Sequence, residues 1–118
     1  MRHALLAALA ITATLAGCGE DSGDGAGGAP PATDTISIKA FTYSPHEATV
    51  KIGAKISVPN ADDAPHTLTD RTGKRTFTTG TIEGRKTGSV TFRTAGTFEY
   101  FCEFHPYMKG MVVVESQV

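Results

Sequence analysis

The sequence consists largely of short runs in which apolar and polar residues alternate, and none has the length or period of an amphipathic helix. Alternation with a period of two is typical of half-buried strands, and Gly, Pro, Asn and Asp between the runs indicate turns. The clearest runs lie at residues 36–40, 50–52, 56–58, 90–92, 98–100 and 112–114. Many short strands with frequent turns predict an all-β sandwich or barrel.

Three further segments add detail to this β pattern. Gly53 separates two of the clear runs and predicts a turn between them. A short strand is predicted at residues 67–69. Residues 71–88 mix two large apolar side chains with threonine, glycine and charge, and predict one weak edge strand with loops.

Length and charge narrow the class of protein. The 118 residues allow one folded domain at most. The chain has 11 Lys and Arg against 12 Asp and Glu, and this near balance argues against nucleic-acid binding. Within residues 35–118, ten basic residues exceed eight acidic ones, and half of the basic residues lie between positions 71 and 86. That basic segment is either a solvated loop face or a docking surface for an acidic partner.

The first 17 residues have the features of a secretory signal peptide. Arg2 supplies a positive start, and residues 4–16 are uncharged and mostly apolar. A membrane-spanning helix needs about 20 apolar residues, and this apolar stretch is shorter. The following Leu15-Ala16-Gly17-Cys18 resembles a bacterial lipobox, which implies cleavage before Cys18 and lipid on its sulfur. The alternative is ordinary signal cleavage that leaves a free Cys18.

Residues 18–34 predict a flexible tether between this lipid anchor and a folded domain at residues 35–118. The tether is rich in Gly, Ala, Pro and acidic residues and lacks large apolar side chains, so it cannot bury enough surface to become ordered. We therefore expect an extracytoplasmic protein that lipid holds at the outer face of a membrane, on the periplasmic or the cell-surface side.

Cys102 is the only other cysteine, and an oxidising compartment makes a lone thiol unusual. It can pair between molecules, remain buried and inert, act as a nucleophile, or bind a metal. A catalytic pair with His105 is disfavoured because no orienting acid or oxyanion-donor motif stands out. The spacing Cys102-x-x-His105-x-x-Met108 instead suits one loop that curls around an ion.

A thiolate, an imidazole and a thioether together favour copper. Zinc accepts cysteine and histidine, but methionine is a poor zinc ligand. His66, which starts the predicted strand at residues 67–69, supplies the candidate second imidazole. The resulting set of two His, one Cys and an axial Met is that of blue-copper electron-transfer sites. Met111 is assigned to the core of the last strand instead, and His46 to a surface turn.

Residues 100–112, which read YFCEFHPYMKGMV, resemble the C-terminal copper loop of small cupredoxins, and the spacing resembles the short amicyanin-type loop. The resemblance extends over about residues 36–114. It implies a Greek-key β-sandwich of about seven to eight strands. It also implies one copper ion per chain, held by His66, Cys102, His105 and Met108, that cycles between Cu(I) and Cu(II).

The same resemblance implies function. We expect a monomeric one-electron carrier that is not itself an enzyme and that exchanges electrons with an unidentified redox partner protein. His105 would be the electron port, with Pro106 and Tyr107 in an apolar patch around it. Two other hypotheses remain open: an extracytoplasmic copper protein for storage, delivery or sensing, and a metal-free interaction module.

Two residues depart from the cupredoxin pattern. Cupredoxins often have an aromatic residue where this chain has Val58-Pro59, and the proline predicts an early strand end. Many have Asn directly after the first histidine ligand, where it braces the copper loop, whereas this chain has Thr67. A hydroxyl can still donate and accept, so altered bracing is expected rather than its loss.

Overall fold

Eight strands make up the regular structure of the computed structural model, which describes residues 31–116. The strands are β1 Ser37–Lys39, β2 Thr42–Ser44, β3 Glu47–Lys51, β4 Lys55–Pro59, β5 Thr69–Asp70, β6 Thr87–Thr91, β7 Gly96–Phe101 and β8 Lys109–Glu115. In this part of the chain no helix is long and apolar enough to cross a membrane. The all-β prediction is confirmed. The predicted signal peptide, Cys18 and most of the predicted tether lie outside the described residues.

The strands form two layers. One sheet has the order β3-β8-β7-β5, in which β3 and β8 are parallel and the other neighbours are antiparallel. The hairpin β1-β2 and the pair β4-β6 form the second layer. Parallel bridges from Thr35 to Ser57 and from Ile38 to Asn60 connect β1 with β4. This arrangement is the β-sandwich that the sequence predicted.

The core lies between the layers and follows the alternation read from the sequence. Along β4 and β8 every second residue is buried. The largest fully buried apolar or aromatic side chains are Tyr43, Tyr100, Phe92, Ile36, Ile38, Ile56 and Leu68. Because each strand places alternate side chains on one face, the sequence period alone identifies most of this core.

Several local predictions are confirmed. The chain turns at Gly53, whose φ of 81° lies in the left-handed region that glycine adopts without strain. Strand β4 ends at Pro59 as expected. Two residues before the predicted boundary at 35, the described chain is already hydrogen-bonded to the domain. The Thr33 N–H donates to the carbonyl of Thr49, and the Asp34 carbonyl accepts from Ser57.

Three local predictions are wrong. Ala40 continued the first alternating run in the sequence, but it is exposed in a turn with a left-handed φ of 53°. The strand predicted at residues 67–69 begins only at Thr69. Residues 71–86 contain no strand, and β6 starts at Thr87. Isolated bridges from Thr69 to Thr78 and from His66 to Ile82 are the only ladder pairs within that segment.

Candidate metal centre

Three predicted ligands lie on one loop at an end of the sandwich. Strands β7 and β8 pair from Gly96–Val114 to Phe101–Lys109, so residues 102–108 form the connection beyond the last pair. Cys102 N–H donates to the carbonyl of Met108 at 3.1 Å, and Met108 N–H donates to that of His105 at 2.8 Å. These two backbone hydrogen bonds curl the loop. They join residues that are close in sequence, because only two residues separate each predicted ligand of the loop from the next.

The fourth predicted ligand comes from the connection between the two sheets. His66 precedes β5, and its backbone exchanges hydrogen bonds of 3.0 and 2.8 Å with Ile82. Its Nδ1 lies 3.7 Å from the sulfur of Cys102, and Nδ1 of His105 lies at the same distance. One donor atom from each of the three residues falls within a group no wider than 4.8 Å.

These distances fit a single metal ion. An ion about 2.1 Å from three donors in a plane separates the donors by about 3.7 Å. His66 and Cys102 are fully buried, and His105 is partly exposed. One soft thiolate with two imidazoles in a largely buried site suits copper.

Met108 is the residue that the sequence predicted as an axial ligand. Its side chain is buried, and its backbone is hydrogen-bonded to the backbones of Cys102 and His105. Met111 lies on β8, where it is partly buried rather than in the core, and its N–H donates to the carbonyl of His46. His46 itself is exposed, as predicted.

The comparisons with known proteins agree with this geometry. A family model described as a cupredoxin-like domain matches residues 5–114. The chain belongs to the cupredoxin family. Amicyanin-alpha of Methylorubrum extorquens is 30% identical over 115 residues, which cover 95% of this chain and 94% of that protein. Amicyanin of Paracoccus versutus is 30% identical over 83 residues, 68% of this chain and 63% of the relative.

Solved amicyanin structures have the same fold as this cupredoxin. An oxidised amicyanin variant superposes with a TM-score of 0.61 at 30% identity and covers 69% of this chain and 80% of its own. A reduced Cu(I) form of another variant at pH 4 gives a TM-score of 0.62 at 30% identity, with 76% and 88% covered. The predicted resemblance to the amicyanin-like cupredoxins is confirmed.

Thr67 braces the loop, although it replaces the usual asparagine. Its hydroxyl oxygen accepts the N–H of Glu103 at 3.0 Å, and its own N–H points at the sulfur of Cys102 at 3.4 Å. Its carbonyl accepts the hydroxyl of Tyr43, whose pKa burial raises above the ordinary value, so that the phenol remains a donor. The expectation of altered rather than lost bracing is confirmed.

Glu103 anchors the other side of the loop, a role that the sequence did not suggest. Arg75 binds its carboxylate at 2.7 Å, and the hydroxyl of Thr69 donates to it at 2.9 Å. The hydrogen bond from Arg75 has the larger effect and that from Thr69 the smaller, and both hold the pKa of Glu103 below its usual range. Part of the basic segment 71–86 is therefore tied directly to the residue after Cys102.

Asp62 orients His66, and this was also missed. The carboxylate lies 2.9 Å from Nε2 of His66. Because an ionised carboxylate only accepts, Nε2 carries the proton and Nδ1 keeps its lone pair towards the sulfur of Cys102. Burial raises the pKa of Asp62, but hydrogen bonds from Phe41, His66 and Ala40 outweigh it and lower the pKa overall. An Asp four residues before a candidate His is the signal that was available.

Aromatic rings surround the outer imidazole. The rings of Phe41, Phe104 and Tyr107 have centroids 5.0, 6.5 and 6.1 Å from that of His105. Tyr107 and Phe104 are 66% and 49% exposed. The sequence predicted Tyr107 and Pro106 in this patch, whereas Phe41, from a distant turn, was not foreseen.

Proposed function

We propose that this cupredoxin is a type 1 copper protein that carries single electrons and binds one copper through His66, Cys102, His105 and Met108. The observation that carries the proposal is the buried thiol of Cys102 with two imidazole Nδ1 atoms, each 3.7 Å away. A His₂Cys set with a weak axial Met is the donor set of blue-copper electron-transfer sites.

Bound copper would supply a one-electron couple between Cu(I) and Cu(II). The protein's own part is to hold the donors still, because a site that moves little between two oxidation states exchanges electrons with little reorganisation. His66 is fixed by Asp62 and by the backbone of Ile82. Cys102 and Met108 are fixed by the bonds that close their loop. His105 reaches the surface among aromatic rings, where a partner protein can approach.

The visible and EPR spectra of the copper-loaded protein test the ligand set. We expect an intensely blue Cu(II) form that cycles reversibly, and loss of the intense band in Cys102→Ala. A mutant that keeps the band would contradict the assignment of Cys102. A colourless protein that binds only Cu(I) and passes it to a chelator would support storage or delivery instead.

Two methionine variants separate the axial ligand from its neighbour. Met108→Leu and Met111→Leu both conserve volume, so each is expected to cost less than about 1.5 kcal/mol of folding stability. We expect the reduction potential and the EPR spectrum to change in Met108→Leu and to match the wild type in Met111→Leu. Equal spectra for the two variants would remove Met108 from the ligand set.

We also propose that residues 1–17 are a signal peptide, that Cys18 carries lipid, and that residues 18–34 tether the domain outside the membrane. The Leu15-Ala16-Gly17-Cys18 sequence supports this proposal, as does the apolar stretch before it. Each buried CH₂ of an acyl chain contributes about 0.8 kcal/mol, so two or more chains anchor stably. We expect the protein in the membrane fraction and Cys18→Ala outside it. Mass spectrometry that shows an unmodified Cys18 would refute the anchor.

The proposed carrier acts as a monomer with a redox partner protein. The surface around His105 that would meet this partner includes Phe104 and Tyr107. Sedimentation of the copper-loaded protein tests the monomer, which a concentration-dependent dimer would contradict.

A further inference from the structure

Two consecutive residues of the β1-β2 turn are held in an uncommon backbone conformation. Ala40 and Phe41 have φ values of 53° and 58°. The left-handed region costs about 1–2 kcal/mol for a residue with a Cβ, and a bulky side chain there is rarer still. Such strain persists only where the surroundings impose it. The turn therefore requires an external constraint that the sequence of the hairpin does not contain.

Asp62 supplies that constraint from the connection after β4. Its two carboxylate oxygens accept the N–H groups of Ala40 at 2.7 Å and Phe41 at 2.9 Å. Asp62 is itself fixed, because its N–H donates to the side chain of Asn60 at 2.9 Å and its carbonyl accepts from Arg85. One side chain thus fixes both the turn and, through Nε2, the imidazole of His66.

The constrained turn carries the ring of Phe41 to both imidazoles. Its centroid lies 5.1 Å from that of His66 and 5.0 Å from that of His105, with interplanar angles of 85° and 88°. The two imidazoles are themselves 5.0 Å apart. Among the described residues, Phe41 supplies the ring that contacts both, whereas Phe104 and Tyr107 contact His105. Edge-to-face contacts of this kind favour a definite ring geometry.

We infer that Phe41 closes the copper centre and that Asp62 is the positioning residue that keeps it closed. The ring covers the gap between the two imidazoles, holds their planes, and excludes water and small external ligands from the metal. The inference rests on the proposed copper function. It adds a closure that depends on a side chain 25 residues before the first ligand in the sequence.

A pair of glycine variants tests the closure and controls for the effect of a glycine on the turn. Ala40→Gly and Phe41→Gly both relieve left-handed strain, but only Phe41→Gly removes the ring. The copper-loaded full chain is titrated with free imidazole and followed by EPR, and Cu(I) removal by a strong chelator is timed. We expect both imidazole affinity and removal rate to rise about tenfold in Phe41→Gly, as for two lost aromatic contacts, and to stay within about twofold in Ala40→Gly.

Three outcomes are decisive. Phe41→Tyr keeps a ring and should behave as the wild type on both readouts. A Phe41→Gly protein that is blue but matches Ala40→Gly in imidazole binding and in copper removal overturns the closure and leaves the proposed function intact. A wild-type protein that binds no copper contradicts the proposed function itself.

A double-mutant cycle tests the link through Asp62. In Asp62→Asn the amide cannot accept from both turn N–H groups, so the ring should loosen and copper removal should accelerate. If Asp62 acts through Phe41, the same substitution has a much smaller effect in the Phe41→Gly background. An effect of undiminished size there would show that Asp62 acts on His66 alone, and the positioning role would be rejected.

Discussion

At the scale of single residues, the hydroxyl oxygen of Thr67 supports the candidate metal centre. This oxygen accepts from the backbone N–H of Glu103 and lies within hydrogen-bond distance of the hydroxyl of Thr69, each at 3.0 Å. The same residue presents its N–H to the thiol of Cys102. Thr67 therefore joins the loop that contains Cys102 to the strand that follows His66. A threonine can replace an asparagine here because these contacts need only one hydroxyl group.

We predict that Thr67→Val destabilises the metal-free protein by about 1–2 kcal/mol, since the buried valine leaves the N–H of Glu103 without its acceptor. Thr67→Ser keeps the oxygen and is the matched control, with a smaller loss from the missing methyl group. Urea denaturation of the metal-free forms measures both. Equal midpoints for Val and the wild type would show that the hydroxyl does not brace the loop.

The residues of the site divide clearly into those that sequence could identify and those that it could not. Cys102, His105 and Met108 share one short loop, so their spacing is visible in the chain. The spacing of Asp62 and His66 was also visible, but Asp62 holds the turn at Ala40 and Phe41 from at least 21 residues away. Phe41 acts by packing on rings of other elements. No local pattern marks an acidic side chain as the one that holds a distant turn.

At the scale of elements, the strands with a buried and an exposed face were predictable from their period. The failures occur where a side chain, rather than the ladder, determines the backbone. Asp70 is the example at the end of β5. Its carboxylate accepts both the N–H and the hydroxyl of Thr72 and of Thr76, at 2.6 to 3.0 Å. These bonds shape residues 71–76 into a loop, within the segment 71–88 for which one weak edge strand with loops was predicted.

This loop predicts a specific dependence of stability on acid. Burial raises the pKa of Asp70, but the hydrogen bonds from Thr76 and Thr72 outweigh it and lower the pKa from 3.8 to about 2. A lowered pKa gives stability that is complete above the unfolded value and is lost as the pH falls through the folded value. The stability difference between the wild type and Asp70→Asn should therefore narrow by about 2 kcal/mol between about pH 5 and pH 2.

Urea denaturation at several pH values measures this difference. Asp63→Asn is the control, because its side chain is 89% exposed and pairs only with Arg85 in the described chain. A difference for Asp70→Asn that stays constant over the acid range would show that the hydrogen bonds of the loop do not favour the ionised form.

The pairing of β7 with β8 sets the base of the copper loop, and Tyr100 lies close against Gly110 there. These residues are direct partners in the register. A Cβ built on Gly110 would lie 2.4 Å from Cζ of Tyr100, which is closer than real Cβ atoms approach their neighbours. Glycine is needed here because the ring lies across the neighbouring strand, and not because of its backbone conformation.

We predict that Gly110→Ala costs about 1–3 kcal/mol, as for overpacking in a close-packed core. Thermal unfolding of the metal-free protein measures this cost. Tyr100→Leu in the same chain removes the clashing ring, so the alanine should cost much less in that background. A cost that is the same in both backgrounds would assign it to something other than this contact.

At the scale of the whole molecule, the proposed copper site joins two segments that are distant in sequence. His66 ends the connection from β4 in one layer to β5 in the other, and Cys102 to Met108 extend from β7 and β8. The two groups are 36 residues apart in sequence at their nearest ligands. An ion that binds both ties the end of the connection from β4 to the loop between β7 and β8, at one end of a domain whose core is small.

Copper should therefore stabilise the native state as a ligand that the unfolded chain binds weakly. Free copper at a hundredfold excess over its dissociation constant adds about 2.7 kcal/mol, which for a domain of this size raises Tm by about 15 °C. Differential scanning calorimetry with and without copper measures the shift, with Cys102→Ala as the control expected to show little. A wild-type Tm that does not move would favour the metal-free interaction module. A shift that persists in Cys102→Ala would place the stabilising metal outside the loop of residues 102–108.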